Sequence, residues 1–384
     1  MIISSQRHLF SIPRDIIYLN AGYMTPQSLA MIEAGHDGIG LRAQPWNVTE
    51  KGFFSDVERV RALYAQLIDA EPDDIAMSPA ASYGIGIAAN NIKLNKGQQI
   101  LVVEDQFPSN IYSWRRMADE QQLKFNIVAR PQNGDWTSAV LEQLATHGDS
   151  IGLLALPQVH WTDGGVLDLK KISKQSKAIG AFLVLDLTQS VGAMPFSVKE
   201  IDADYVAVAG YKWLFSPYST GFLYVAPRHH DGVPLEENWI NRKGSENFAG
   251  LVNYQDEYAA GARRFDVGER ANFSLMPQVE QSIKQILAWG VENIAETLKE
   301  KNKTISAIFE NAGFTSCYSP DNSAHILGME TKHQIPANFA ETLKNEGVRL
   351  SIRSSALRIA PHIYNDDEDM AGLKTALDKA LRPS

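Results

Sequence analysis

An α/β fold is predicted, with a mostly parallel sheet in a large domain (residues 1–275, including an N-terminal arm). A bridging helix and a smaller α+β domain follow (276–384). Three observations predict it. From Pro72 onward, short apolar runs alternate with stretches of helical length and spacing, the pattern of strand–helix–strand repeats. Two of the runs, Phe182-Leu183-Val184-Leu185 and Asp204-Tyr205-Val206-Ala207-Val208-Ala209, read as strands covered on both faces, the first of them unbroken. Beyond Pro227 the alternation gives way to a polar, loop-rich segment, then a long helical stretch, then short strands and helices again.

In chain order, residues 15–20 read as a short strand or extended arm, and Ala21-Gly22-Tyr23-Met24-Thr25-Pro26 as a turn. Ser28 caps a helix expected to fade near the glycines of 36–40. Residues 53–69 carry Val57, Val60, Leu63, Tyr64, Leu67 and Ile68 at helical spacing, with Ser55 as the expected N-cap. Strands are expected at 75–78, 100–103, 125–129, 151–156, 182–185, 204–209 and 221–225. Helices are expected between them at 82–91, 109–121, 138–145 and 169–178. The segment 227–272 holds Asn238-Trp239-Ile240 and Arg263-Arg264-Phe265, and its length without regular structure marks it as functional or interfacial. Residues 277–312 read as one long helix or a broken pair. The small domain then has strands at 325–329, 348–352 and 357–359 and helices at 337–346 and 366–381.

Composition narrows the function classes. The chain has 36 basic and 45 acidic residues, net −9, with no basic cluster, which argues against nucleic acid or an anionic membrane surface as partner. One cysteine, Cys317, leaves no disulfide framework and no cysteine-based zinc site, and no metal is expected. A reducing cytoplasm is the expected compartment. No apolar run approaches the roughly 18 residues of a spanning helix, and the first twenty residues show no signal-peptide core.

The chemistry concentrates around 182–214. If the two apolar strands are parallel neighbours, Asp186 and Lys212 stand at adjoining carboxyl ends, the edge where open α/β sheets bind ligands. A lysine for a Schiff base and an acid for a ring nitrogen are what pyridoxal 5′-phosphate (PLP) needs; a helix cap and a surface lysine are the plainer reading of the same pair. Three further stretches fit the cofactor. Ala81-Ser82 opens a helix after the first strand of the repeat, where backbone N–H groups could take the phosphate, or Ser82 is an ordinary N-cap. Phe107 follows the second strand and could cover the ring face, or belong to the core. Arg358 lies in an apolar strand, suited to grip a substrate carboxylate or to form a buried structural ion pair; Arg353 is a weaker candidate.

With Asp186-Leu187-Thr188-Gln189, Gly210-Tyr211-Lys212-Trp213 and Leu357-Arg358-Ile359-Ala360-Pro361-His362, the chain resembles the class V aminotransferases of PLP fold type I. That group holds cysteine desulfurases, kynureninases and isopenicillin N epimerase-like proteins, and the resemblance runs from about Tyr18 to the C-terminus. It implies that Lys212 forms the Schiff base and Asp186 pairs with the pyridine nitrogen. Gln189 bonds the phenolic oxygen, Ala81 and Ser82 hold the phosphate, and Arg358 binds the substrate carboxylate. Phe107 and Tyr211 resemble the kynureninase version of the site, whereas Gln189 is the desulfurase choice. Glu269 replaces the threonine that in the family often reaches the partner subunit's phosphate, with Arg270 or Asn272 as substitutes. The loop 351–356 carries Ser351, Ser354 and Ser355 but no desulfurase cysteine. The run His160 to Gly165, with Trp161 foremost, is expected to line the substrate side.

The expectation is therefore a homodimeric PLP enzyme acting on an amino acid or amine, first an aminotransferase. A lyase or hydrolase (C–S lyase or kynureninase-like), an epimerase, and a non-catalytic PLP-fold protein are the alternatives. A Rossmann nucleotide binder is disfavoured because no G-x-G-x-x-G follows the first strand.

Overall fold

The structure, a computed structural model, describes residues 1–317, 323–331, 335–353 and 356–382. Strand β1 (Ile17–Tyr18) belongs to the N-terminal arm. A seven-stranded sheet follows, built from β2 (Ile75–Ser78), β3 (Gln99–Val103), β4 (Lys124–Val128), β5 (Ile151–Pro157), β6 (Phe182–Asp186), β7 (Tyr205–Ala209) and β8 (Gly221–Val225). Its order is β2-β8-β7-β6-β5-β3-β4. Pairing is parallel from β7 through β6, β5 and β3 to β4; β8 runs antiparallel to both β7 and β2. The reversal has a local cause. Parallel neighbours need a crossover of a dozen or more residues, and only the loop 210–220, without a helix, joins β7 to β8. That loop carries Lys212.

The unbroken apolar strands are explained by where their side chains go. Leu183 and Leu185, Val206 and Val208, and Leu154 and Leu156 enter one core cluster. Val184, Tyr205 and Ala207, and Leu153 and Ala155 enter a second on the opposite face. Helices α3 (Ala81–Asn91) and α4 (Tyr112–Gln121) cover the second face, and α5 (Trp136–His147) and α6 (Leu169–Ala178) the first. Each fully buried Leu or Val contributes on the order of 2 kcal/mol by leaving water, so both faces hold the strand ends, and the site on them, in register.

The helices α1 (Leu29–Arg42), α2 (Gly52–Leu67) and α8 (Met276–Trp289) pack on the first face, beyond which lies the short α7 (Val198–Ile201). Two local expectations are corrected here. Helix α1 does not fade at its glycines but runs through them to Arg42. A Cβ on Gly35 would meet the Gln278 side chain, and one on Gly38 the Phe273 carbonyl oxygen, so the glycines permit close packing instead of ending the helix. In α2 the N-cap is Lys51, and Ser55 sits inside the helix, donating to Asp56 at 3.1 Å. Gly38→Ala is expected to destabilise the protein by about 1–3 kcal/mol through overpacking against backbone, read as a lower urea midpoint. An unchanged midpoint would show that α1 can move away freely.

Helix α8 breaks from α9 (Val291–Asn311) at Gly290, whose φ of +78° suits glycine. The C-terminal residues form an antiparallel sheet of order β12-β13-β10-β9, from β9 (Thr315–Ser316), β10 (Leu327–Glu330), β12 (Ser351–Arg353) and β13 (Ala356–Ile359), with α10 (Phe339–Asn345) and α11 (Asp367–Ala380). The single strand expected at 348–352 is divided. Strand β11 (Val348–Arg349) pairs in parallel with β1, while β12 pairs with β13. Ile17 and Leu19 of the arm are thereby buried among Phe309, Leu357 and Ile359. The strand expected from His325 begins instead at Leu327.

Candidate active site

The parallel pairing of β6 with β7 places Asp186 opposite Ala207, with Lys212 on the loop just past the end of β7. Both side chains are buried and both line one cavity of about 380 Å³ at this edge. The size suits a small-molecule ligand. Asp186 accepts a hydrogen bond from the Thr188 N–H at 3.0 Å, and the Thr188 hydroxyl in turn accepts from the Ala209 N–H at 3.1 Å, tying the two strand ends together. Burial pushes the Asp186 carboxyl up, opposed by its bonds to Thr188 and by the Lys212 ammonium. A carboxylate so desolvated is stabilised by a cation placed against it.

The Lys212 Nζ lies 5.2 Å from the Phe107 ring centre and 5.7 Å from that of Tyr211. Phe107 meets Trp161 edge-on at 5.4 Å, and Tyr211 packs on Tyr218 at 4.8 Å, so aromatic rings wall the lysine. Burial raises the Tyr211 phenol, helped by Tyr218 and Asp186. The lysine's backbone is held from a distant part of the chain. The Thr25 hydroxyl donates to the Lys212 carbonyl oxygen, and the Thr25 N–H to that of Tyr211 at 3.2 Å. This is the turn after the arm, and its role was not visible in the sequence.

At another wall, Pro79, Ala80, Ala81 and Ser82 bring the start of α3 to the cavity. The first N–H groups of a helix have no intrahelical acceptor, so a phosphate is the natural occupant. Gln189 also lines the cavity, its amide engaged by Trp213 and Gly22. Thr188, Gln106, Ser109, Tyr218 and Ser219 line it too and were missed in the sequence; only their places beside strand ends could have signalled them.

Other expected residues fall elsewhere. Arg358 is buried but does not line the cavity; it stands behind the wall, donating to the Trp161 carbonyl oxygen at 2.9 Å, with its guanidinium carbon beside Gly22. Of the run 160–165, only Trp161 lines the cavity, which corrects the expectation for the rest. His160 is stacked on Trp136 and bonds Thr162 and the Glu104 carbonyl oxygen, while Asp163 pairs with Arg130. Arg270 is likewise buried against Asp266 and Asn241. Glu269 and Asn272 line a separate hollow with Trp239 and Phe273. Ser354 and Ser355, and the side chain of Arg353, lie outside the described residues. Cys317 is half-buried, does not line the cavity, and has its thiol pushed up to about 12, first by burial and then by Glu330 and Asp163.

The residues present fit PLP on three counts: an amine on the cavity wall, a desolvated carboxylate, and a small-residue helix start. What these define is a PLP-dependent enzyme of the fold type I class. The particular family is settled by comparison. The profile of the Aminotransferase class-V family matches residues 45–369, and the chain belongs to that family. It is 27% identical over 346 residues to an uncharacterized aminotransferase of Bacillus subtilis, covering 88% of this chain and 86% of that one. It is 24% identical to a probable cysteine desulfurase of Methanothermobacter thermautotrophicus, over 95% of both. Among solved structures, the fold is shared with the cysteine desulfurase of Thermococcus onnurineus (TM-score 0.85, 17% identity, 99% of each chain). It is shared equally with a variant of C-DES holding glycine covalently linked to its PLP cofactor (TM-score 0.85, 17% identity, 97% of this chain and 99% of that one).

Proposed function

We propose that this protein is a PLP-dependent aminotransferase acting on an amino acid through Lys212. One observation carries the reading. Among the described residues lining the cavity, Lys212 is the only amine, and there is no thiol and no carboxyl group besides Asp186. Moving a proton between two carbon atoms requires just such a single shuttling base. PLP, when bound, supplies an electron sink conjugated with the substrate's α-carbon. The chain's own groups do the rest. Lys212 would anchor the cofactor through its Nζ, and the same amine would serve as the base for the substrate's Cα proton. Asp186 would hold the proton on the ring nitrogen. The start of α3, with Ala81 and Ser82, would bind the phosphate, and Gln189 would bond the phenolic oxygen. Phe107 would cover the ring and exclude water. Tyr211 closes the wall beside the lysine. Arg358, buried beside Gly22 and the Trp161 carbonyl, would be the group that receives the substrate carboxylate.

The test is a panel of amino acids mixed with the PLP-loaded protein, with keto acid, ammonia and sulfide assayed in parallel. Keto acid formed without ammonia and in step with loss of the visible band supports the proposal; keto acid released together with ammonia or sulfide while the band persists overturns it in favour of a lyase. That second reading rests on the Tyr211 and Tyr218 phenols at the wall, which could protonate a leaving group.

A thiol-dependent desulfurase is disfavoured because the nucleophile there is a thiolate, and Cys317 is held as a thiol away from the cavity. Cys317→Ala is expected to leave activity toward every amino acid unchanged. Sulfide release from cysteine by the parent protein that vanishes in this variant would refute the assignment.

A homodimer and a cytoplasmic location are part of the proposal. The first is supported by exposed Trp46, Trp239, Val252 and Tyr254, aromatic and apolar surface of the kind favoured at interfaces. The second is supported by the lone thiol. No helix among the described residues is long and apolar enough to cross a membrane. Light scattering of the PLP-loaded protein tests the dimer: a monomer that still turns over amino acid contradicts it.

A further inference from the structure

Gln189 lies 5% exposed at the cavity wall, and every group that could turn its amide is specified by the fold. Its Oε1 accepts from the indole N–H of Trp213 at 2.9 Å, and its Nε2 donates to the carbonyl oxygen of Gly22 at 3.0 Å. The amide's two ends cannot be exchanged. An indole nitrogen can only donate and a backbone carbonyl can only accept, so flipping the amide would set donor against donor and acceptor against acceptor in a buried site. Neither partner is free to move. Trp213 is fully buried, with His325 edge-on at 4.4 Å and His362 at 5.4 Å. Gly22 sits in the turn that Ala21 anchors to Ala360 at 2.9 Å and that Thr25 fastens to the backbone of Tyr211 and Lys212. The backbone of Gln189 is fixed as well, its carbonyl oxygen accepting from His325 Nε2 at 2.5 Å. Burial holds the His325 imidazole down to about 4, so it is neutral near pH 7 and keeps its proton on the nitrogen that faces Gln189.

We propose that Trp213 is a positioning residue that acts through Gln189: with Gly22 it fixes the amide so that the second Nε2 hydrogen is kept as a donor for the cavity. That hydrogen would serve an acceptor, and in the PLP reading the acceptor would be the phenolic oxygen of the cofactor. The proposal rests on the PLP reading above and deepens it. A donor at that oxygen stabilises its negative charge, which is greatest when the neighbouring Schiff-base nitrogen on Lys212 has lost its proton. Trp213 thus lowers the pH at which that nitrogen deprotonates, without touching the cofactor itself. If Trp213 loses its N–H, only the Gly22 carbonyl still orients the amide, the donor is held less firmly toward the cavity, and the effect is lost.

The test is a pH titration of the visible absorbance of the PLP-loaded protein, which reads the Lys212 nitrogen and not turnover. Trp213→Phe keeps a ring between the two histidines and removes the N–H. It is expected to raise the midpoint by about one pH unit, the size of one hydrogen bond to a charged group. Gln189→Ala should raise it similarly, and the double variant no further. A Trp213→Phe midpoint equal to the parent's, or a double variant whose shift is the sum of the two, overturns the proposal. A second measurement needs no Trp213 variant to fold and no cofactor. The Trp213 indole N–H should exchange with solvent about tenfold faster in Gln189→Ala than in the parent protein; equal rates overturn it. Absence of any visible band in the parent protein would count against the PLP reading alone, and the indole measurement would still decide the role of Trp213.

Discussion

Lys212→Ala is expected to yield a colourless protein after dialysis, with amino-acid turnover lower by roughly 10³-fold or more, because both the covalent anchor and the proton carrier are lost. The geometry that demands this is the burial of the Nζ among Phe107 and Tyr211 in a cavity whose described lining holds no other amine to substitute. The fold should survive. Lys212 sits on a loop whose backbone is fastened by Thr25, and Asp186, whose proton affinity burial already raises, can take up a proton when the ammonium is gone. Borohydride reduction of the parent protein followed by peptide mapping completes the measurement. A pyridoxyl group on any lysine but 212, or an active Lys212→Ala variant, refutes the central assignment.

The second large effect belongs to Asp186, and it has opposite signs on activity and on stability. Asp186→Asn should slow turnover by roughly 10³-fold, since an amide cannot hold the ring nitrogen protonated and the electron sink fails. The cofactor should remain bound through Lys212 and the start of α3. In the cofactor-free protein the same change should raise the melting temperature. Burial raises the carboxyl's proton affinity in the folded state. A group with a raised folded pKa opposes folding increasingly as pH climbs from its unfolded value, near 3.9, through its folded one; above that the whole penalty is present. Near pH 7 the neutral amide removes the penalty while still accepting from the Thr188 N–H. Melting curves of both cofactor-free proteins across pH check the sign: the gain should be present near neutrality and fade as pH falls into the carboxylate range. A variant with near-normal turnover, or one less stable than its parent at neutral pH, would make Asp186 a structural cap.

The contrast between the residues read correctly in the sequence and those missed follows from the range of the forces involved. Strands β5, β6 and β7 announce themselves because burial on two faces requires uninterrupted apolar runs, and the crossover through α6 leaves β5 and β6 parallel neighbours. Asp186 and Lys212 were legible as strand-end residues for the same reason. Thr25 and Gly22 were not, because their partners at Lys212 and Gln189 lie more than 160 positions away and hydroxyls and carbonyls in a turn carry no periodic signal. The N-cap of α2 and the length of α1 were misjudged because Ser55 and the glycines have local propensities that packing against α8 overrides.

By itself the sequence determined the alternating α/β architecture, the family and the acid–lysine pair, since each is written in local pattern: period, run length, and residue type at a strand end. Only the tertiary structure decided which way those groups face and what holds them. It set Arg358 behind the wall at Trp161 and took His160, Asp163 and Arg270 into structural pairs. It closed the arm onto the lysine loop and locked the Gln189 amide between an indole donor and a carbonyl acceptor. Those outcomes depend on hydrogen bonds between segments far apart in the chain, whose strength comes from shared burial that no single stretch of sequence possesses.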